Sequence, residues 1–182
     1  MFVQTFHFNP YRECTYVIYN KESDADCVII DCGAYDQSEQ KSLTDFFKKN
    51  KLTPIAHLIT HAHPDHICGA EYIKNEYKIS PTIFPEEGLL TLPSEFPKLE
   101  VLHTPGHKAD SVCYYFPTEK IIFTGDTLFQ ESIGRTDLPS GNMEQLLHSL
   151  KRLMTLPPET TVYPGHGYTT TIAHELEYNP YV

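Results

Sequence analysis

The chain has 182 residues, 40% of them hydrophobic and 21% charged, enough to bury the core of one compact domain. Its formal net charge of −10 argues against nucleic acid or anionic membrane surfaces as partners, because phosphate binding needs clustered Lys and Arg, and 14 such residues face 24 Asp and Glu. No apolar run approaches a membrane span, and Met1-Phe2-Val3-Gln4-Thr5-Phe6 lacks the charged and apolar regions of a signal peptide, so the expected address is cytoplasmic.

Taken in chain order, Phe2 to Phe8, Thr15 to Tyr19 and Cys27 to Ile30 read as strands, and Gln37 to Asn50 carries a helical pattern. A further strand, Ile55 to Thr60, delivers His61-Ala62-His63-Pro64-Asp65-His66 to its end. Pro64 biases His63 toward an extended backbone and suits the entry to a helix, so His61 and His63 belong to a loop and project the same way. Asp65 and His66 start a helix expected to reach Tyr77, with Ile67, Ala70, Ile73 and Tyr77 as its apolar stripe. The Pro-rich stretch from Pro81 to Pro105 reads as a loop-rich connection between two halves. Strands follow at Ser111 to Phe116, Ile121 to Thr124 and Thr161 to Tyr163, with a helix over Met143 to Met154. Early strands with short turns, then alternating helices and strands, point to one α+β domain over residues 1–182, with two sheets sandwiched by outer helices.

Three imidazoles and a carboxylate within six residues point to a bound metal, and imidazole with carboxylate suits zinc, iron or manganese better than calcium or magnesium. Three more candidates sit at Gly-punctuated turns after apolar runs: His107 in Thr104-Pro105-Gly106-His107, Asp126 in Gly125-Asp126-Thr127, and His166 in Pro164-Gly165-His166-Gly167. Seven N and O donors exceed one four-coordinate zinc and suit two metals, with one carboxylate able to bridge. His57 shares the strand that leads to His61, and the expectation for it is a hydrogen-bonded core histidine. The five cysteines are odd in number and lack CxxC spacing, so they read as small buried hydrophobes without disulfides.

In their order, HxHxDH, TPGH, GDTLF and PGHG resemble the motifs of the metallo-β-lactamase-fold hydrolases, and the resemblance spans nearly the whole chain. Within that superfamily, Gly125-Asp126-Thr127-Leu128-Phe129, Gly134-Arg135-Thr136-Asp137-Leu138-Pro139 and Asn179-Pro180-Tyr181 resemble the hydroxyacylglutathione hydrolase (glyoxalase II) branch, here in a short form that lacks that branch's C-terminal helical domain. The resemblance implies a four-layer αββα sandwich. It assigns His61, His63 and His107 to a first metal, Asp65, His66 and His166 to a second, and Asp126 to both. It puts Asp31 behind the ligands, orienting a histidine. Arg135 would meet a substrate carboxylate, with a buried Arg135–Asp137 ion pair as the alternative role, and Tyr168 would form part of the pocket wall. Lys108, Ala109 and Asp110 depart from the family's usual turn after His107, and Asp110 reads as a turn residue.

The implied activity is hydrolysis of a small thiolester such as S-lactoylglutathione through a hydroxide bridging two divalent metals, most simply zinc, with Asp65 and Asp126 as the catalytic carboxylates. The alternatives are a persulfide dioxygenase with a single iron on His61, His107 and Asp126, and a non-catalytic metal-bound module. A lactamase reading is disfavoured, because those enzymes usually place a cysteine where this chain has Asp126. The pattern requires no oligomer.

Overall fold

The structure, a computed structural model, describes residues 1–20, 26–84, 86–92 and 96–182. The chain divides into two compact units, the first formed by Met1–Ile83 with Thr91–Phe96 and the second by Phe84–Leu90 with Pro97–Val182.

The first unit is built on a five-stranded sheet of β1 (Phe2–Phe8), β2 (Glu13–Tyr19), β3 (Asp26–Ile30), β4 (Thr53–Leu58) and β5 (Pro81–Thr82), in that order. The β1, β2 and β3 strands pair antiparallel, and β3, β4 and β5 pair parallel, with Ile29 opposite His57. Helix α1 (Gln37–Asn50) begins at Asp36, whose side chain accepts the Glu39 N–H, and ends at Lys51 in the left-handed conformation. Its Leu43 and Phe47, one turn apart, bury completely against Val17, Ile29 and Ile73, each contributing about 1.5–3 kcal/mol of apolar burial.

The expected helix from Asp65 to Tyr77 forms as two, α2 (Pro64–Ile67) and α3 (Ala70–Tyr77). Tertiary hydrogen bonds break it: the Cys32 N–H donates to the His66 carbonyl and the Gly69 N–H donates to the Cys32 carbonyl, both at 2.8 Å. A Cβ at position 69 would lie 2.5 Å from the Cys32 sulfur, so only glycine permits this approach. Local periodicity proposed one helix, and the end of β3 divides it.

The second unit carries a six-stranded sheet and a short hairpin. Its strands are β6 (Gly88–Leu90), β7 (Leu99–His103), β8 (Val112–Phe116), β9 (Ile121–Gly125), the hairpin β10 (Leu128–Phe129) with β11 (Ser132–Ile133), β12 (Thr161–Pro164) and β13 (Thr170–Thr171). The order is β13-β12-β9-β8-β7-β6, and β12 pairs parallel with β9. Helix α4 (Met143–Leu153) packs Leu146, Leu150 and Leu153 onto Leu102, Tyr115, Ile122 and Val162, and α5 (Ile172–Tyr178) adds Ile172. Between Pro81 and Pro105, the stretch expected to be loop contains β5, β6 and β7; Pro85 and residues 93–95 of it lie outside the described residues. Backbone pairing to neighbouring strands recruits short segments that proline density marks as irregular.

His57 is buried as expected, yet among the described residues neither ring nitrogen has a hydrogen-bond partner of good geometry. Burial lowers its pKa from 6.5 to about 4, only partly offset by Asp31. The unfolded chain therefore binds this proton first as pH falls, so the stability associated with neutral His57 is complete above about pH 6.5 and lost on the way down to about pH 4. His57→Leu should flatten urea-derived stability against pH in that window by up to about 1.4 kcal/mol per pH unit; an unchanged slope would assign the acid limb to other groups.

Candidate metal centre

In the first unit, β4 delivers the His61–His66 segment, and Asp31, just beyond β3, holds it in place. Asp31 is 2% exposed and adopts a left-handed backbone, φ 56°. Its carboxylate accepts the Thr60 N–H at 2.7 Å, the Thr60 hydroxyl at 2.8 Å and the His66 Nδ1–H at 2.8 Å. A carboxylate on Nδ1 makes that nitrogen the donor and leaves Nε2 of His66 with the lone pair a metal requires. His61 Nδ1 lies 3.1 Å from the Thr60 hydroxyl. His61 Nε2 and His63 Nδ1 are 3.1 Å apart, close to the roughly 3.3 Å between two nitrogens on one tetrahedral zinc. His63 has the extended backbone expected before Pro64, with φ −79° and ψ 147°, and Asp65 Oδ2 lies 3.8 Å from His66 Nε2. Buried Glu13, found by no motif, shares a group of donor atoms within 4.8 Å with Asp31 and His66, and burial pushes its carboxyl pKa well up.

In the second unit, Asp126 follows β9 and His166 follows β12, which the parallel pairing of those strands places side by side. The Asp126 carboxylate faces two imidazoles through different oxygens, with Oδ2 3.4 Å from His107 Nε2 and Oδ1 3.7 Å from His166 Nε2. His107 is buried, and its Nδ1–H donates to the Arg135 carbonyl at 2.7 Å, which directs the Nε2 lone pair toward Asp126. The loop supplying that carbonyl is pressed against the site: a Cβ on Gly134 would lie 1.8 Å from the Asp126 carbonyl oxygen and 3.0 Å from His107 Nδ1. Asn179 braces the same loop by donating to the Ser132 carbonyl at 3.1 Å and to buried Glu175 at 2.8 Å. The Asn179-Pro180-Tyr181 motif thus has a structural task.

The donor set of each unit fits divalent metal. Lone pairs converge at tetrahedral spacing in the first unit, and in the second a carboxylate presents one oxygen to each of two imidazoles, the disposition of a bridging ligand. Arg135 and Asp137 do form an ion pair, at 2.6 and 2.7 Å, but it is exposed, with side chains 61% and 66% accessible, not buried as the alternative reading had it. Arg135 lowers the Asp137 pKa to about 2 through its hydrogen bonds. Tyr168 is 80% exposed, and Asp110 pairs with Lys108 at 2.8 Å within its turn. None of the five cysteines is in a disulfide; four are buried and Cys68 is partly so. A cleft of about 650 Å³ along α4, lined by His103, Asn142, His148 and Arg152 among others, contains none of the seven candidate ligands.

The profile of the metallo-beta-lactamase superfamily matches residues 12–96 and 80–166. A probable metallo-hydrolase of Bacillus subtilis is 35% identical, covering 88% of this chain and 89% of its own. A hydroxyacylglutathione hydrolase of Francisella tularensis subsp. novicida is 32% identical across 88% of this chain, which spans 65% of that enzyme. Among solved structures, the BLEG-1 B3 metallo-beta-lactamase superposes with TM-score 0.90 at 32% identity over 99% of both chains. TTHA1623 in a di-iron-bound form gives 0.85 at 32% over all of both chains, and ETHE1 from Myxococcus xanthus gives 0.84 at 30% over 99% of this chain and 84% of its own. The fold expected from the resemblance, α+β with two sheets and helices, is the fold these structures share.

Gly134→Ala should destabilise the protein by about 2 kcal/mol or more in urea unfolding, because the added methyl meets backbone that cannot yield without moving Asp126. A stability within 0.5 kcal/mol of wild type, the usual range of neutral surface changes, would show that the loop has room.

Proposed function

The chain belongs to the metallo-beta-lactamase superfamily as a metallo-hydrolase, and from that premise we propose that it is a dinuclear thiolester hydrolase of the glyoxalase II type. The observation that carries the dinuclear reading is the Asp126 carboxylate, whose two oxygens face two different imidazoles. His61, His63 and His107 are the proposed ligands of one ion, and Asp65, His66 and His166 those of the other, with Asp126 shared. Two divalent ions supply a Lewis acid for a carbonyl oxygen and a water acidic enough to ionise near neutral pH. Zinc satisfies this donor set, and the di-iron form of a structural neighbour supports iron as well.

The chain's own residues then have defined tasks. Asp65 would orient the water, Asp126 would be a ligand shared by both ions, and Asp31 keeps the His66 Nδ1 proton in place. A thiol leaves without a strong general acid because thiols are modestly acidic, which agrees with a site whose donors are all committed to metal. Arg135 and Tyr168, both exposed, are the proposed contacts for the substrate's carboxylate and its outer surface, Arg135 exchanging Asp137 for the substrate. The thiolester class is supported by the hydroxyacylglutathione hydrolase match. Residues 1–182 act as one domain in this proposal. A cytoplasmic setting completes it, with a small-molecule partner and neither nucleic acid nor membrane. The net charge of −10 supports this, and no described helix is long and apolar enough to cross a membrane.

Elemental analysis of the tag-free protein, combined with assays of S-lactoylglutathione hydrolysis, oxygen uptake with glutathione persulfide and turnover of a chromogenic β-lactam, tests the reading. Two ions per chain with thiolester turnover are expected. One iron with oxygen uptake would replace hydrolysis with dioxygenation, and β-lactam turnover alone would move the substrate class. Asp126→Ala should lose at least one ion and reduce turnover by several orders of magnitude; retention of both ions at normal rates would remove the shared-ligand role. Arg135→Ala should raise KM more than it lowers kcat, and an unchanged KM would confine Arg135 to its ion pair with Asp137.

A further inference from the structure

In the first unit, α2 is too short to hold itself. A four-residue helix lies far below the length at which a helix is stable alone, and His63 at its start makes no side-chain capping bond. Two carbonyls of this segment are instead satisfied from outside: His66 by the Cys32 N–H at 2.8 Å, and Asp65 by the side chain of Asn9 at 2.9 Å. We propose that Asn9 is a positioning residue for Asp65, its amide holding the Asp65 carbonyl and thereby setting the direction of the Asp65 carboxylate toward metal. The inference rests on the reading of Asp65 as a ligand.

Asn9 sits in the turn between β1 and β2 with φ 52°, a left-handed conformation that asparagine tolerates better than most residues. Its amide nitrogen donates to the Gly33 carbonyl at 3.2 Å as well as to Asp65, joining segments 24 and 56 residues away in sequence. Its Oδ1 accepts the Tyr11 N–H at 3.0 Å, and its own N–H donates to Glu39 Oε1 at 2.7 Å. The fit leaves no slack. A Cβ on Gly33 would lie 2.6 Å from the Asn9 amide nitrogen and 2.8 Å from the Asp65 carbonyl oxygen, so a side chain at position 33 would separate the two. Its carbonyl accepts the Arg12 N–H at 3.0 Å, so every polar group of Asn9 is spent on geometry, and the endpoint of that geometry is a backbone atom of Asp65.

Asn9→Gly is the informative variant, since glycine adopts φ 52° freely and only the amide is removed. Asn9→Asp turns a carboxylate oxygen toward two carbonyls. Glu39→Ala loosens the same turn without touching Asp65. Zinc would be titrated into each metal-free protein against a chromophoric chelator, beside thermal melts of the metal-free forms. The expected result is two ions in the wild type, with one ion kept at wild-type affinity in Asn9→Gly and the other weakened at least tenfold. Asn9→Asp should be weaker still, and Glu39→Ala should match the wild-type titration despite a lower melting temperature. Two ions at wild-type affinity in Asn9→Gly, or equal weakening in Asn9→Gly and Glu39→Ala, would overturn the positioning role. Asp65→Ala separates the two readings: if it retains both ions, the ligand assignment fails and this inference with it, whereas its loss of one ion beside an unaffected Asn9→Gly sinks the inference alone.

Discussion

The bonds accepted by Asp31 are the constraint on which the first unit's chemistry depends. A carboxylate taken out of water is costly unless donors surround it, and here three donors do: a backbone N–H, a hydroxyl and an imidazole. Each belongs to the segment that bears the candidate ligands. The Thr60 pair stops β4 at the right residue, and the His66 bond selects the tautomer. The left-handed backbone of Asp31, φ 56°, is the conformational cost of aiming one side chain at all three, and the Asp31 N–H still donates to Leu58 at 2.8 Å. Packing, turn and proton placement are thus one interaction seen from three sides.

The second unit solves the same problem by other means. His107 gives its Nδ1 proton to a main-chain carbonyl, that of Arg135. A loop carbonyl orients well only if the loop cannot move, and this one is fixed at Gly134 by contact with the Asp126 backbone and at Ser132 by Asn179. Asn179 in turn shares buried Glu175 with Thr170 and the Glu131 N–H. The result is a chain of supports from α5 to a histidine ring, each link a hydrogen bond or a steric stop, with the ion pair of Arg135 left in solvent for other use.

These supports are independent of the substrate. They govern which nitrogen of each histidine is free and which way each carboxylate faces, and such tasks serve any reaction that needs two ions and a water. A scaffold of this kind accords with a set of neighbours that includes a hydroxyacylglutathione hydrolase, a B3 metallo-beta-lactamase and a di-iron form at about 32% identity each. In the proposed function, choice among substrates falls to exposed groups such as Arg135 and Tyr168.

Much of this was legible in the sequence because the information is local. Three histidines and an aspartate in six residues state their chemistry without any fold, and Pro64 predicts the extended backbone that His63 adopts. Apolar patterning recovers α1, α4 and most long strands to within two residues. What escaped depends on partners distant in the chain. The break between α2 and α3 comes from Cys32, the short strands within residues 81–105 exist only by pairing, His57 lies buried without the partner expected for it, and Arg135 pairs with Asp137 in solvent. Asn9 and Glu13 belong to no motif, since an asparagine in a turn and a glutamate opening a strand look ordinary until a fold brings residues 33, 65 and 66 against them. The sequence by itself determined which atoms can bind metal, because donor chemistry resides in the side chain. Only the tertiary structure decided which of those atoms keep their lone pairs and where they point, because hydrogen bonds to Asp31 and to the Arg135 carbonyl assign the protons, and those bonds exist only between segments far apart in the chain.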